Sequence, residues 1–285
     1  MFIATSAPKS QWIKELIPIL SQACAILREE YQLYCSGIEF NIEKKTDASP
    51  VTQADYRVHQ YIASELGKIS DFSLLSEEGI LDDYQSWQTF WLLDPLDGTK
   101  EFLAQRPEFT INLSLIHQGK TVFAILAIPC QELIYIAPEQ GLPFKFEIKH
   151  KHWYQFVHHQ TAVESQIRVG VSQSYQNQPK YIEYLESLSR LYSIELFKAG
   201  SAYKFCMMLE NQIDIYPRFH PTYEWDTSAG QCLLERIGGG LMTLSAQPFY
   251  YNQRDTLLNG SFIAYRTAQF KTIALDGLEL MSNRN

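Results

Sequence analysis

The sequence predicts a layered α/β protein, in which helices and strands both occur but do not alternate strictly. Residues 10–33 carry apolar side chains at helical spacing. Residues 110–117 and 121–129, in contrast, are apolar runs of strand length on either side of a Gln-Gly turn. The chain has 285 residues, and 46% of them are apolar, which is enough for one large domain or two closely joined lobes.

We expect a single domain over residues 1–285, with an N-terminal α+β lobe at 1–160 and a C-terminal α/β lobe at 161–285. The first lobe begins with the helix at 10–33, for which a membrane-surface helix is the minority interpretation. That alternative would attach the protein peripherally to the inner membrane. Further elements of this lobe are predicted as a helix at 52–66 and strands at 72–75, 90–93, 110–117, 121–129 and 133–137.

Residues 138–165 contain Pro, Gly and the basic, aromatic stretch KHKHWYQFVHH, and we interpret them as a hairpin and a crossover. The histidines near 150–159 have no companion ligands in the sequence, so we expect a surface loop there and not a metal site. The C-terminal lobe is predicted to mix strands and helices. Its strands are expected at 167–172, 195–198 and 213–216, and its helices at 180–192, 202–209 and 227–237.

Charge and cysteine content exclude several classes of function. The formal net charge of −8 argues against binding to the nucleic acid backbone, although cations would still allow an anionic small molecule to bind. The five cysteines are scattered and form no CxxC pair, which is typical of reduced thiols in a cytoplasmic protein. We see no signal peptide at the start, and no apolar run reaches the length of a membrane span.

The stretch WLLDPLDGTKEF, residues 91–102, leads an apolar run directly into two carboxylates. Asp94 and Asp97 are three residues apart, on a turn that Pro95 and Gly98 favour. Two anions held close together away from water repel each other, and a divalent cation that prefers oxygen ligands, such as Mg²⁺, removes that repulsion. Taken alone, DPLDGT is equally compatible with an Asp-rich turn that binds nothing.

Two further apolar segments also end in carboxylates. SLLSEEG places Glu77 and Glu78 after a strand, and EWDTSAG places Asp226 before a helix that begins at Thr227. A turn explains the first segment and an N-cap explains the second when each is considered separately. Together, the three segments provide what a two-cation site requires, with metals about 4 Å apart on either side of a phosphoryl group.

Thr99 is a candidate for contact with that phosphoryl group. It follows Gly98 where the helical stretch KEFLAQ begins, and the free N–H groups at a helix N-terminus suit a phosphate oxygen. Asp55, in SPVTQAD, is a candidate for orienting the Thr99 hydroxyl toward a water molecule.

These motifs resemble those of the inositol monophosphatase superfamily. WLLDPLDGTKEF is similar to its DPxDGT signature, and SPVTQAD, LLSEE and WDTSAG are similar to its three companion motifs, in the same order. The similarity extends over residues 44–265 or so. KEF after DGT, together with GSAYKFC, IYPRFHPT and WDTSAG, resembles the bacterial 3'(2'),5'-bisphosphate nucleotidases of that superfamily.

The resemblance implies a layered αβαβα sandwich and a phosphoric monoester hydrolase that depends on Mg²⁺ and is sensitive to lithium. It implies that adenosine 3',5'-bisphosphate is hydrolysed to AMP in sulfur assimilation, in the cytoplasm. A second candidate substrate is 3'-phosphoadenosine 5'-phosphosulfate, which would give adenosine 5'-phosphosulfate. The expected partner is thus a small nucleotide and not a nucleic acid, and the oligomeric state is left open.

Carried onto this sequence, the resemblance also implies roles for single residues. Asp55, Glu77 and Thr99 would be catalytic, with Asp55 fixing Thr99 so that Thr99 orients the attacking water. The implied metal ligands are Glu77, Asp94, the backbone carbonyl of Leu96, Asp97 and Asp226. The implied substrate-binding residues are Glu77, Leu96, Asp97, Gly98, Thr99, Gly200, Ser201, Lys204, Arg218 and Asp226.

A second phosphate group needs cations besides the metals. Lys204 in GSAYKF and Arg218 in YPRF could bind it, the arginine through two parallel hydrogen bonds. Taken alone, Lys204 is more simply a solvated helix lysine, and only the resemblance favours binding. The chain departs from its relatives at Gln173 and Tyr175, where they carry arginine and histidine, and this leaves the fine specificity open.

Two alternatives remain. Inositol monophosphatase or sugar bisphosphatase activity would use the same scaffold, but Lys204 and Arg218 argue against a substrate that has only one phosphate. A non-catalytic, metal-dependent regulator is the alternative of another class, and the complete set of candidate catalytic residues argues against it. A Mg²⁺-dependent phosphate-release assay separates these classes.

Overall fold

The computed structural model describes residues 1–44, 50–79, 82–157 and 166–282. Within these residues the helices are α1 (Gln11–Cys35), α2 (Gln53–Ile69), α3 (Thr99–Leu103), α4 (Pro179–Leu191), α5 (Tyr203–Leu209), α6 (Ser228–Glu235) and α7 (Ala268–Ser282). The strands of the first part of the chain are β1 (Phe2–Thr5), β2 (Ile42–Lys44), β3 (Pro50–Thr52), β4 (Ser73–Ser76), β5 (Thr89–Asp97), β6 (Thr110–His117), β7 (Lys120–Ile128), β8 (Leu133–Ala137), β9 (Phe144–Glu147) and β10 (His152–Phe156). Those of the second part are β11 (Gln166–Val171), β12 (Ser193–Lys198), β13 (Ile215–Arg218), β14 (Thr222–Tyr223), β15 (Gly240–Thr243), β16 (Leu258–Asn259) and β17 (Phe262–Tyr265).

The larger sheet has eight strands in the order β1-β10-β9-β8-β7-β6-β5-β4. Only the β4–β5 pair is parallel, and the other neighbours are antiparallel. Side chains alternate between the two faces, as strand geometry requires. In β7, Phe123 and Ile125 pack in the core that contains α1 and α2, whereas Ala124 and Leu126 pack in the core on the opposite face. The sheet is therefore apolar on both faces and is covered on both.

The smaller sheet has five strands in the order β12-β11-β13-β17-β15. β11 runs parallel to β12 and β13, whereas β17 runs antiparallel to β13 and β15. All strands of this sheet come from residues 166–265, and all strands of the larger sheet come from residues 2–156.

Five layers of structure pack around three hydrophobic cores, and the middle layer lies inside the second core. One core lies between the helices α1 and α2 and the larger sheet. The second lies between the two sheets and contains α5 and α6, and the third joins the smaller sheet to α4 and α7. The order helix, sheet, helix, sheet, helix is the αβαβα sandwich, and this confirms the predicted fold class.

Local capping explains where the first two helices begin. The Ser10 hydroxyl accepts a hydrogen bond from the Ile13 N–H at 3.4 Å, at the start of α1. At the start of α2, the Thr52 hydroxyl accepts from the Ala54 N–H at 3.1 Å, and the Asp55 carboxylate accepts from the Thr52 N–H at 2.8 Å. This capping box fixes the buried Asp55 side chain at the helix terminus.

Most predicted elements are confirmed, with shifted ends. The apolar strands and amphipathic helices predicted between residues 10 and 137 and between 167 and 237 all occur. The hairpin expected within residues 138–165 is confirmed by the antiparallel pair of β9 and β10. The surface loop expected near 150–159 is wrong for residues 152–156, which form β10, although His150 and His152 are exposed. His158, His159 and the predicted crossover after them lie outside the described residues. The sequence analysis did not predict the strands β1, β2, β3, β14, β15, β16 and β17 or the helix α7.

Candidate active site

A cavity of about 260 Å³ lies where segments that follow β4, β5, β11, β12 and β13 meet. Its lining includes every residue that was predicted to bind metal or substrate: Glu77, Asp94, Leu96, Asp97, Gly98, Thr99, Gly200, Ser201, Lys204, Arg218 and Asp226. Asp55 lies behind Thr99, and of the described pair Glu77 and Glu78 only Glu77 is part of the lining.

A β-bulge, and not the predicted turn, brings Asp94 and Asp97 together. Asp94 pairs with Asn112 and Asp97 with Thr110, so three steps along β5 match only two steps along β6. In a regular strand, residues three apart point to opposite faces, and the extra residue cancels this alternation. Pro95 is tolerated here because a bulge lacks one ladder hydrogen bond. The Leu96 N–H donates to the Asp94 carboxylate at 3.0 Å, which fixes the bulge internally.

Asp94, Asp97 and Asp226 form the acidic cluster of the site. One carboxylate oxygen from each lies within 4.8 Å of the other two, and Asp94 is fully buried. Burial raises the pKa of Asp94 well above its usual range, and the charges of Glu77, Asp97 and Asp226 raise it further. Burial and the neighbouring carboxylates raise the pKa of Asp226 in the same way. The crowded carboxylates are thus unfavourable as anions without a cation.

This donor set fits a hard divalent cation. The cluster offers carboxylate oxygens, and Leu96 is part of the same cavity lining. Oxygen-only ligands favour Mg²⁺ over softer metals. Bound cations would reverse the repulsion that raises the pKa values of Asp94 and Asp226.

Asp97 is oriented by neighbours that the sequence analysis missed. Its carboxylate accepts hydrogen bonds from the Ala202 N–H at 2.5 Å, the Asn112 amide at 3.4 Å and the Thr110 hydroxyl at 3.5 Å. Burial raises the pKa of Asp97 to about 6, although the Ala202 N–H and the Lys204 and Arg218 charges oppose this effect. The signal was present in TINLSLIH, where polar residues occupy every second position of an apolar strand.

The Thr99 hydroxyl lies between the Asp55 carboxylate and the Leu96 carbonyl. It donates to the Asp55 carboxylate at 3.2 Å and lies 3.4 Å from the Leu96 carbonyl. Asp55 is itself fixed by the capping box of α2. Gly98 adopts a φ of +100°, which is unfavourable for other residues, and so turns the chain from β5 into α3.

Lys204 is not a solvated helix lysine, because its side chain is completely buried. Its ammonium donates to the carbonyls of Ala199 and Ser201 at 2.9 and 2.8 Å and lies 4.7 Å from the centre of the Tyr216 ring. Burial lowers the pKa of Lys204 to about 7, and the nearby Arg218 charge acts in the same direction. Two of its three donors are thus used to order the loop before α5.

The loop of Gly200 and Ser201 is bound to Glu108. The Gly200 N–H donates to the Glu108 carboxylate at 2.8 Å, and the Ser201 hydroxyl donates to the Glu108 carbonyl at 2.6 Å. The Gln173 amide also donates to the Glu108 carboxylate, at 3.2 Å. Gln173 also lines the cavity. Tyr175, in contrast, is buried against Tyr181 and is not part of the described lining.

Arg218 gives the cavity wall a positive charge that is not fully paired. One guanidinium nitrogen donates to the Tyr216 hydroxyl at 3.3 Å, but the buried Nε–H has no hydrogen-bond partner among the described residues. Burial, together with the Arg218, Lys204 and Lys100 charges, lowers the pKa of His220 to about 4. This wall is therefore suited to an anionic group of the ligand.

Comparisons with known proteins agree with this geometry. The profile of the inositol monophosphatase family matches residues 9–274. The chain belongs to the inositol monophosphatase family. It is a phosphatase of that family. A separate finding is that no helix within the described residues is both long and apolar enough to cross a lipid bilayer.

Relatives within the family include 3'(2'),5'-bisphosphate nucleotidases named CysQ. The one from Salmonella typhimurium is 34% identical over 259 residues, which covers 86% of this chain and 98% of the relative. That from Escherichia coli strain K12 is 33% identical with the same coverage. The crystal structure of CysQ from Bacteroides thetaiotaomicron has a TM-score of 0.72 at 28% identity and covers 89% of this chain and 96% of its own. An inositol monophosphatase from Thermotoga maritima, at 18% identity, shares the fold with a TM-score of 0.72.

Proposed function

We propose that this phosphatase is a Mg²⁺-dependent 3'(2'),5'-bisphosphate nucleotidase that hydrolyses adenosine 3',5'-bisphosphate to AMP and phosphate. The observation that carries the proposal is that one cavity is lined both by the acidic cluster and by Arg218, whose buried Nε–H has no hydrogen-bond partner among the described residues. Such a cavity suits a ligand with two separate phosphate groups. The names of the CysQ relatives give the same substrate class.

The acidic cluster accounts for the reacting phosphate. Glu77, Asp94, the Leu96 carbonyl, Asp97 and Asp226 would bind Mg²⁺, which lowers the pKa of water and neutralises charge that develops on a leaving oxygen. The Thr99 hydroxyl donates its hydrogen bond to the Asp55 carboxylate, so a lone pair of the Thr99 oxygen would remain available to accept a hydrogen bond from the attacking water and orient it. Because this arrangement is already fixed before the substrate binds, it lowers the barrier without reorganisation.

The second phosphate would bind at Arg218. Its buried Nε–H has no hydrogen-bond partner among the described residues, and the Lys204 ammonium has one donor besides the two that bind the carbonyls of Ala199 and Ser201. A charge-assisted hydrogen bond contributes about 1.5–3 kcal/mol, or about ten- to a hundredfold in affinity. Specificity for a bisphosphate would therefore come from this wall and not from the metal site. We also propose that the enzyme acts in sulfur assimilation in the cytoplasm, as its resemblance to the bacterial bisphosphate nucleotidases implies.

Arg218→Ala tests the substrate assignment. We expect kcat/KM for adenosine 3',5'-bisphosphate to fall about ten- to a hundredfold, with little change for 3'-AMP, which lacks the second phosphate. The measurement is phosphate release from both substrates by the wild type and the variant. Arg190→Ala, on the exposed face of α4, is the matched control and should change neither rate. Equal losses on the two substrates would assign Arg218 a structural role instead.

A further inference from the structure

A second cavity, distinct from the candidate active site, lies at the other end of α5. Its volume is about 580 Å³, within the range of small-molecule sites, and it is more than twice as large as the active-site cavity. Its lining combines apolar side chains, among them Phe2, Phe156 and Met208, with the polar groups of Lys145, Tyr154, Glu210 and Arg266. A cavity that joins apolar walls to convergent polar groups is a usual form of a ligand site.

The charges around this cavity favour an anion. The Lys145 ammonium lies 4.9 Å from the ring centre of Phe2 and 5.3 Å from that of Tyr154, and it donates to Glu210 at 2.7 Å. Arg266 donates to Asp214 at 2.8 Å, and Asp214 also accepts from Arg168. These three cations face two carboxylates, so the cluster has a charge of +1 in a chain whose net charge is −8.

The helix α5 connects this cavity to the candidate active site. Ala202, directly before α5, donates its N–H to Asp97, and Met208 near the opposite end of the helix lines the second cavity. All residues of α5 from Lys204 to Leu209 are buried, so the helix cannot shift at one end without displacing its neighbours. Glu210, just after the helix, is fixed by Lys145 and by the Tyr135 hydroxyl at 2.8 Å.

We propose that this second cavity is a regulatory site for a small organic anion with an apolar body. The apolar body packs between Phe2, Phe156 and Met208, and the anionic group binds the Lys145 ammonium. Binding there competes with Glu210 for Lys145 and so weakens a contact that fixes the C-terminal end of α5. A displacement of α5 that follows is passed on to Asp97 through the hydrogen bond from the Ala202 N–H.

The test uses 8-anilinonaphthalene-1-sulfonate, an aromatic anion that fluoresces in apolar surroundings. We expect the wild type to bind one molecule per chain in a saturable titration. Lys145→Gln should weaken this binding about tenfold or more, because a charge-assisted hydrogen bond is lost. Lys120→Gln is the matched control, because Lys120 is also a strand lysine of the larger sheet beside an aromatic ring, and it should bind like the wild type.

A second variant makes the result independent of how Lys145→Gln folds. Ile237→Trp places a larger side chain in the cavity lining and should abolish binding while the circular dichroism spectrum is unchanged. The site assignment is overturned if the wild type shows no saturable binding, or if Lys145→Gln and Ile237→Trp bind the dye as the wild type does.

The coupling between the second cavity and the active site is tested by a separate measurement, which does not require the substrate to be known. Coupling between two sites is reciprocal, so Mg²⁺ with inorganic phosphate at the active site should change the affinity for the dye. The same addition should leave the dye fluorescence of Ile237→Trp unchanged, because this variant is expected to lack the site. An unchanged dye affinity of the wild type would refute the coupling through α5.

Discussion

Asp97 shows how single residues in this protein are placed by contacts that are distant in sequence. Its carboxylate accepts hydrogen bonds from β6 and from the backbone before α5. Asp94, three residues earlier, reaches the same space only because of the bulge at Pro95 and Leu96. The acidic cluster therefore depends as much on backbone geometry as on the number of carboxylates.

Thr99→Ala is the sharpest test at the residue scale. Loss of the hydroxyl bound to Asp55 should lower kcat about ten- to a hundredfold and leave KM nearly unchanged, because orienting water acts mainly in the transition state. Thr99→Ser keeps the hydroxyl and should restore most of the rate. Steady-state kinetics on adenosine 3',5'-bisphosphate would measure both effects, and a change confined to KM would reassign Thr99 to ground-state binding.

The residues that could be predicted are those whose chemistry is unusual in its local context. Asp94, Asp97 and Asp226 stood out because several separate apolar segments end in carboxylates, and the structure brings these three together. Asn112 and Thr110 were missed because polar residues in a strand are ordinary when one face meets water. Only the covered sheet shows that they are buried and face Asp97. The burial of Lys204 likewise depends on packing that the sequence does not display.

At the scale of elements, the loop between β12 and α5 connects the two walls of the active site. A Cβ added at Gly200 would lie 2.2 Å from the Glu101 side chain, and this close approach explains the glycine. The N–H of the same residue is bound to Glu108, and Ala202 follows two residues later with its bond to Asp97. Displacement of this loop should therefore disturb the acidic cluster.

Gly200→Ala should lower stability by about 1–3 kcal/mol, as overpacking of a close contact typically does, and should lower kcat/KM as well. Urea unfolding and phosphate release measure the two effects. Gly260→Ala is the matched control, because nothing lies within 4 Å of a Cβ built there. Wild-type activity in Gly200→Ala would show that the loop does not position Asp97.

Helices and strands in which apolar residues recur at a regular spacing were predicted, and elements without such a spacing were not. The amphipathic helix α1 and the alternating strands β6 and β7 have patterns that a short window contains. β1 and β17 have only four residues each, and their strand character comes from pairing with β10 and β13. Such pairing joins residues that are far apart in sequence, so no local pattern predicts it.

At the scale of the whole molecule, the acidic cluster links stability to metal and pH. The pKa of Asp97 is raised to about 6 in the folded protein, and those of Asp94 and Asp226 are raised as well. A raised carboxyl pKa means that the folded state binds a proton that the unfolded state has lost. This contribution to stability is therefore present at low pH and is lost as pH rises through the folded pKa.

The increase in melting temperature that Mg²⁺ produces should thus be larger at about pH 7.5 than at about pH 5, because carboxylates must lose their protons to bind metal. Calorimetry with Mg²⁺ and with a chelator at both pH values gives the comparison. Asp94→Asn removes one ligand charge and should reduce the effect of Mg²⁺. An equal increase at both pH values would contradict a metal site at these carboxylates.

The most direct test of the central claim compares two substrates of the purified wild-type protein. The measurement is kcat/KM for phosphate release from adenosine 3',5'-bisphosphate and from inositol 1-phosphate, each with Mg²⁺ and with excess chelator. We predict release that requires Mg²⁺ and a preference for the bisphosphate of about tenfold or more, because Arg218 would bind the second phosphate in the function proposed above. A preference for inositol 1-phosphate, or full turnover in the chelator, would contradict the account.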